Sequence, residues 1–481
     1  MPDGRVREST HRLLIAMKLR YSQRMISDSA VFRRPRIQDI ITIALPMVLS
    51  QASETVNLFV DRLFLSRLGK FHIAGAMSGG LTAFNIMSLF IGIIGYVNAV
   101  VAQNDGAGIR KNCARATAQS IRLAFAGWPI LILTIPLIRL FFSSMGHLPE
   151  QIALEMTYFR ILIVGSVFGL IRHSLAGFFI GLGRTRVVMI ANALGMLVNI
   201  PANWILIFGK FGMPALGIAG AAYGTLLGSA AIMLILLGIY LSPSYRREYK
   251  TSTELGFDRP LMTMLLRYGT PAGLEAFFNI TAFNFFVQLM HSYGPNTAAA
   301  VTIAFNYDML AFIPMMGLGF AATTLTGRYV GAGDIGGAEH STRLTLLISW
   351  IYAAVMMIIF VSGANALVGI YTSGLERGGA DVAPLAGTML RLAALYTLGD
   401  ATQLIYAGAL RGAGDTKFVM WISVGAHWVF AGIAWFSIKV LSISAVSIWV
   451  VFICFVLLLG VGMLLRYRMG SWRKMSLVAS P

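Results

Sequence analysis

Charge is what this sequence has least of. Of its 481 residues, 12% are Asp, Glu, Lys or Arg and 57% are hydrophobic, whereas a soluble globular domain carries roughly 25% charged residues. So little polar surface cannot cover a soluble fold of this length, which excludes a string of water-soluble domains. Acidic residues are scarcest: 20 Asp and Glu stand against 38 Lys and Arg, a net charge of +18. In a soluble chain that excess would suggest nucleic acid. Here the basic residues lie between apolar runs and at both ends, the pattern of loops meeting an anionic membrane leaflet, and no nucleic-acid partner is expected. Cysteine is limited to Cys113, in a basic segment, and Cys454, in the last apolar run, so no disulfide is expected. No HExxH, no Gly-x-Ser-x-Gly and no Cys/His cluster occurs, so the usual signatures of a metalloenzyme or serine hydrolase are missing. Neither enzymatic activity nor a cofactor is expected. The Arg-rich stretch up to Arg36 has no cleavable apolar core and does not read as a signal peptide. Within it, Arg12 to Met25 reads either as a surface-lying amphipathic helix or as a disordered basic tail.

What the sequence has in quantity is long apolar runs. A membrane helix needs roughly 20 apolar residues, and candidate spans run near 38–66, 74–103, 113–143, 152–181, 186–208, 215–241, 261–292, 297–329, 337–371, 384–409, 417–440 and 442–466. Internal prolines (Pro46, Pro129, Pro136, Pro201, Pro271 and Pro314) are expected to break several of them locally. Alternate connections are basic, around Arg110, Arg184, Arg246, Arg328 and Arg411, and both ends share that character. The positive-inside rule therefore puts both termini in the cytoplasm. The expected fold is an all-α integral membrane protein of about twelve transmembrane helices.

The chain repeats itself. Gly177–Met189 (GFFIGLGRTRVVM) reappears as Gly408–Met420 (GALRGAGDTKFVM), an offset of 231 residues. Pro46 and Gly69 map onto Pro271 and Gly294 at an offset of 225, as does the Gly-Ala-Gly of 106–108 onto that of 331–333. Six spans per repeat is an even number, so the halves keep one orientation about a pseudo-two-fold axis along the membrane normal. The expected segments are a basic N-terminal segment (1–37), an N-lobe (38–241), a cytoplasmic linker (242–260), a C-lobe (261–467) and a cytoplasmic tail (468–481). Substrate in such transporters binds between the halves, which rock against each other.

Carboxylates inside the apolar spans are the candidate functional groups. Each costs about 2.5–3.5 kcal/mol at the bilayer centre when charged, so Glu54, Asp61, Glu275, Asp308 and Asp400 are expected to face a cavity, pair with a cation, or carry protons. Glu54 and Asp61 are seven residues apart and share a helix face. Arg62 or Arg67 offers them an alternative role as helix-end pairs. Asp308 and Asp400 have no basic residue within a turn, whereas Arg267 lies near Glu275. Asn279 follows Glu275 by four residues, and Asn199 and Asn203 flank Pro201, which frees backbone carbonyls. Such oxygen-rich, locally broken helix suits an ion site, although asparagines also glue helices together. Arg172 and His173 read as partners for a carboxylate or as a wet lining.

These residues carry a resemblance to the multidrug and toxic compound extrusion (MATE) family. The first span, IALPMVLSQASETVNLFVDRLFLSRLG, resembles that family's opening helix, with Pro46, Gln51 and Asp61 at hallmark positions. VAQNDGAG and GRYVGAG resemble its Gly-Ala-Gly turns; Val198–Thr225 and GDATQLIYAGALRGAGDTK resemble its NorM-like branch. The likeness covers roughly residues 38–465. It implies an exporter of amphipathic organic cations driven by Na⁺ or H⁺ antiport; with no cleavable presequence in the sequence, a bacterial inner membrane is the expected location, and a monomer the expected state. It also implies an essential carboxylate at Asp400. Two departures stand out. Asn279 occupies the place of the branch's helix-seven Glu, with Glu275 or Asp308 as candidate substitutes. Asn203 stands where a second branch has an Asp. The expected coupling-ion and substrate residues are therefore Asp400 with Asn279, Glu275 or Asp308 in the C-lobe, and Asp61, Glu54, Asn199 and Asn203 in the N-lobe. Asp400, Asn279 and Glu275 form a candidate Na⁺ set. The alternative is a flippase or exporter of a lipid-linked precursor or other metabolite with the same two-lobe architecture. Such a protein would need a ring of arginines, and Arg122, Arg160, Arg172 and Arg391 are scattered along the chain.

Overall fold

The computed structural model describes residues 35–372 and 379–478. The Arg12–Met25 segment lies outside them. The described residues are helical throughout, with no strand among them. In chain order the helices are α1 (Ile37–Ser66), α2 (Lys70–Gly95), α3 (Val97–Gly106), α4 (Arg110–Leu133), α5 (Ile135–Ser144), α6 (Pro149–Val164), α7 (Ser166–Gly181), α8 (Thr185–Phe208) and α9 (Ile218–Tyr240), then the short α10 (Pro243–Tyr249). The second half comprises α11 (Arg259–His291), α12 (Pro295–Gly331), α13 (Ile335–Thr372), α14 (Gly379–Ala413), α15 (Thr416–Lys439) and α16 (Ala445–Met469), followed by a 3-10 turn at Ser471–Lys474.

Ten helices are long and apolar enough to cross a membrane, counting α2 with α3 as one, and the bent pair α6–α7 makes an eleventh. The predicted seventh span is α11, 33 residues long, which at 1.5 Å per residue reaches about 50 Å. It carries Arg267, Glu275 and Asn279 along its length and is not among those ten. The prolines break less than expected. Helices run through Pro46, Pro129, Pro201, Pro271 and Pro314, and of the expected breaks only the one at Pro136, in the first turn of α5, ends a helix. A bend of 47° between α6 and α7 falls instead at Gly165, where a Cβ would come within 2.2 Å of Leu226.

Contacts between helices obey the repeat. In the first half α1 packs on α8, α8 on α9, and α2 on α6; in the second α11 packs on α15, α15 on α16, and α12 on α14. Between the halves α1 meets α12 and α2 meets α11, which are the same contact with the lobes exchanged. The Gly-Ala-Gly turns show why those residues recur. A Cβ on Gly106 would lie 2.0 Å from the Arg328 carbonyl oxygen, and one on Gly331 would lie 2.0 Å from that of Gln103. Positions 103 and 328 are themselves 225 apart, so each lobe presses a bare glycine onto the matching carbonyl of the other. The second glycine of each turn, Gly108 or Gly333, closes its helix at φ +75° or +77°, a conformation that other residues adopt at a cost.

The lobes are joined at one end, the end with the basic connections. Arg328 pairs with Asp105 at 3.3 Å. The Tyr96 hydroxyl donates to the Arg411 carbonyl at 2.9 Å, Gln103 Nε2 to the Gly412 carbonyl at 2.8 Å, and Thr324 to the Ile180 carbonyl at 3.1 Å. The chain after α16 crosses this junction: the Leu477 N–H donates to Gln103 Oε1 at 2.6 Å, and the fully buried Leu477 side chain packs among residues of the first lobe. At mid-helix height Asn85 Nδ2 donates to Thr281 at 3.0 Å. These inter-lobe hydrogen bonds and the ion pair lie between that level and the basic end.

Candidate functional site

The polar residues of α1 form one stripe, because Ser50, Glu54, Asn57 and Asp61 recur at helical spacing. The stripe faces α8 and α7. Asn192 Nδ2 donates to Ser50, and Asn203 Nδ2 donates to both Asp61 and Asn199, the latter at 3.1 Å. Asn199 Nδ2 in turn donates to the Gly224 carbonyl at 3.1 Å. The fit is close: a Cβ on Gly224 would sit 1.7 Å from Asn203 Oδ1. Asp61, Asn199 and Asn203 are all buried. Thr225 and Tyr158 complete the cluster around the Asp61 carboxylate. Arg62 and Arg67 are not among its partners. Glu54 lies lower on the stripe and pairs with Arg172 at 3.1 Å, while Arg172 Nη2 is 3.4 Å from His173 Nε2.

In the second lobe the candidates divide into two groups. Asp308 on α12 and Asp400 on α14 lie close enough to interact electrostatically, with Tyr396 beside both. Tyr396 is four residues before Asp400, on the same face of α14, and is 1% exposed. Its hydroxyl has no hydrogen-bond partner at ordinary geometry. No cationic side chain pairs with either carboxylate among the described residues. Behind Tyr396 stands an aromatic core: Phe452 is edge-on at 5.4 Å, and Phe286, Phe430 and Trp449 surround it. Apolar walls of this kind strengthen electrostatic interactions inside them.

Glu275 and Asn279 have other partners. Glu275 is bound by Arg411 at 2.6 Å, in place of the expected Arg267. Asn279 Nδ2 donates to Ser423 Oγ at 2.8 Å, and its Oδ1 is buried without a partner. The sequence-derived set of Asp400, Asn279 and Glu275 is thus divided: the carboxylate that meets Asp400 is Asp308. Among the described residues no three His, Cys, Asp or Glu side chains cluster as a metal site, so a cation held here would need hydroxyl or carbonyl oxygens as well. The four arginines that a lipid-precursor carrier would gather into a ring have separate surroundings. Arg122 donates to the Leu255 and Gly256 carbonyls, Arg172 to Glu54 and Arg391 to Asn365, and Arg160 is exposed. Sequence reasoning missed Tyr396 and Arg411 as site residues. The spacing of Tyr396 from Asp400 was the available signal; Arg411 read as a loop cation because it ends its helix.

A family profile described as MatE matches residues 46–205 and 271–434. The two matches begin at Pro46 and Pro271, the prolines that mark the repeat. The chain is 27% identical over 402 residues to multidrug resistance protein MdtK of Edwardsiella ictaluri, covering 82% of this chain and 85% of that one. It is 28% identical over 397 residues to the probable multidrug resistance protein NorM of Shewanella oneidensis, covering 81% and 84%. Among solved structures, an outward-facing multidrug resistance MATE family transporter of the MOP superfamily superposes with a TM-score of 0.82 at 21% identity, covering 91% of this chain and 96% of that one. A MOP superfamily transporter from Pyrococcus furiosus, described as having a binding pocket of reverse polarity, superposes with a TM-score of 0.80 at 21% identity over 91% of this chain and 96% of that one. At that identity the structures speak for the fold alone.

Proposed function

The chain belongs to the MatE family, the multidrug and toxic compound extrusion transporters, and on that premise we propose that it exports amphipathic organic cations by antiport against Na⁺ or H⁺. The observation that carries the proposal is the Asp308–Asp400 pair. Two carboxylates share one apolar pocket with the Tyr396 hydroxyl beside Asp308 and no cationic side chain paired with them. Two like charges so placed repel, and burial penalises both. A proton or a small cation relieves that penalty, so the occupied and empty states of the pocket differ in energy. That difference is what an ion needs to bias a two-state carrier.

The N-lobe cluster of Asp61, Asn199 and Asn203 is read as the second polar station, open to protons or substrate. Residues 38–241 and 261–467 are read as the moving lobes, and the basic end as cytoplasmic in a bacterial inner membrane. With that orientation the junction at Arg328–Asp105 closes the cytoplasmic side, and the conformation is outward-facing.

Reconstituted protein tests this. Ethidium transport is followed against an imposed Na⁺ gradient and then against a pH gradient, with Asp308→Asn and Asp400→Asn beside wild type. Transport under one gradient, lost in both variants, supports the pair as the coupling site and names its ion. Transport that survives in both variants overturns it.

A further inference from the structure

The chain after α16 binds both lobes, and it does so in two stretches. Helix α16 closes at Gly470 in the left-handed conformation (φ +72°), and the 3-10 turn that follows folds back beneath the second lobe, against α14 and α16. Trp472 is fully buried there; its ring stacks on Tyr467 at 4.9 Å and its Nε1 donates to the Tyr467 carbonyl at 3.0 Å. Arg473 pairs with Glu339 of α13 at 2.7 Å. All of these partners belong to the second lobe. Ser476 is exposed, and beyond it the partners change. Leu477 passes under Gly414, where a Cβ would come 3.4 Å from it. Its N–H then donates to Gln103 of α3 at 2.6 Å, and its side chain joins the apolar cluster that holds Val97, Val100 and Leu175 of the first lobe.

Gln103 ties this contact to the closure of the lobes. It is fully buried, and both ends of its amide are used: Nε2 donates to the Gly412 carbonyl, at the end of α14, and Oε1 accepts from Leu477. Both bonds join the first lobe to chain carried by the second, so parting the lobes at the basic end breaks them together. The repeat provides a comparison. The chain that leaves α9, the last span of the first half, also folds back beneath its lobe. Tyr245 and Tyr249 of α10 are buried, and the Tyr249 hydroxyl donates to Asp105 at 3.2 Å. Both segments thus land on α3, two positions apart. For α10 that helix belongs to its own lobe; for the tail it belongs to the other.

We propose that the tail is a latch on the closed cytoplasmic side: residues 471–475 stay on the second lobe, and Leu477 leaves the first lobe whenever the lobes part at the basic end. The proposal rests on the transport reading, in which the lobes alternate, and adds what holds one of the two states. The anchor contacts are present in both states and shift nothing. The Leu477 contacts exist in one state only, so their whole strength biases the balance toward it. Detachment uncovers one leucine and frees one amide without opening the core of either lobe.

Spin labels at Arg186 and Lys417 test this in the full-length protein in lipid nanodiscs, with Cys113 and Cys454 replaced. The two positions match at an offset of 231, are exposed, and stand at the basic end of opposite lobes, so electron–electron double resonance reads the separation there. In Leu477→Ala the ratio of separated to closed populations is expected to rise about 30-fold. Leu175→Ala is the control, because Leu175 is fully buried in the same cluster but lies within one lobe; its thermal midpoint should fall with the distances unchanged. If Leu477→Ala does not fold, a chain ended after Met475 is read instead and should show at least the same rise. A tail variant with the wild-type distance distribution overturns the latch, and so does an equal rise in Leu175→Ala. The measurement needs neither gradient nor substrate. Wild-type protein that transports nothing under any gradient would overturn the transport reading, while the distances would still judge the latch.

Discussion

The glycine contacts at the pseudo-two-fold axis leave no room for a methyl group. In Gly331→Ala the new Cβ would lie 2.0, 2.6 and 2.7 Å from the carbonyl oxygen, carbonyl carbon and Cα of Gln103. All three are backbone atoms, so no rotamer change relieves the clash. Ordinary contacts between such atoms are about 3.5–4.0 Å, so α12 and α3 must part by about 1.5 Å or more. Overpacking of this kind costs about 1–3 kcal/mol. The cost falls only on the state in which the lobes meet at the basic end, so it shifts the balance between states by about 5- to 150-fold. Spin labels at Lys111 and His340, both exposed, with Cys113 and Cys454 replaced, report the separation of the lobes at that end by electron–electron resonance. A longer-distance population is expected to grow in Gly331→Ala, and the thermal midpoint to fall. Gly333→Ala is the control. Its φ of +77° makes the substitution strained, but a Cβ there meets nothing within 4 Å, so stability should fall with no change in distance. Identical distance distributions in the two variants would refute the reasoning.

Other outcomes rest on single contacts. Glu275→Gln leaves the Arg411 guanidinium without its ion-pair partner and is expected to cost about 3 kcal/mol in thermal unfolding, the low end for a broken buried pair because Arg411 is partly exposed; the double variant Glu275→Gln/Arg411→Gln should recover much of that loss. Gly224→Ala drives Asn203 off Asp61, since the methyl group would fall 1.7 Å from Asn203 Oδ1; about 1–3 kcal/mol of stability should go with the displaced hydrogen bond, and a melting point equal to wild type would show that the contact is slack. Leu477→Ala empties a fully buried position where the tail crosses to the first lobe; about 2 kcal/mol is expected, and limited proteolysis beyond Lys474 should accelerate.

Helix count and repeat were legible because both are written in one dimension, as apolar run length and as offset. What was not legible depends on depth and rotation. The bend at Gly165 carries no proline, and the residue there is fixed by Leu226, from a different helix, which fills the space a side chain would need. Pairing was misjudged for a similar reason. Arg267 is eight residues from Glu275 in sequence, but Arg411, from the end of α14, reaches it. Asp308 and Asp400 were recognised singly, since neither has a basic neighbour within a turn. Their pairing is a property of how α12 packs on α14, and no local pattern encodes it.

The repeat also shows where the two halves stopped being equivalent. The glycines at the axis are kept in both, because each must let the other lobe's backbone approach. Away from the axis the chemistry parts. Asp61, Asn199 and Asn203 correspond, at offsets of 225 and 231, to Phe286, Phe430 and Ala434, and the Phe286 and Phe430 rings pack 4.8 Å apart where the first lobe holds its polar cluster. Conversely Asp308, Tyr396 and Asp400 correspond to Ala83, Gly165 and Gly169. At these two stations each lobe is apolar or bare where the other is acidic. Two identical acidic stations would bind the same ion with the same strength and respond alike to every gradient. Two stations at different places, one bound by amides and one facing a tyrosine in an aromatic shell, can differ in what they bind. A carrier that exchanges one solute for another needs that difference, and the duplicated scaffold supplies it without disturbing the glycine contacts on which the lobes meet.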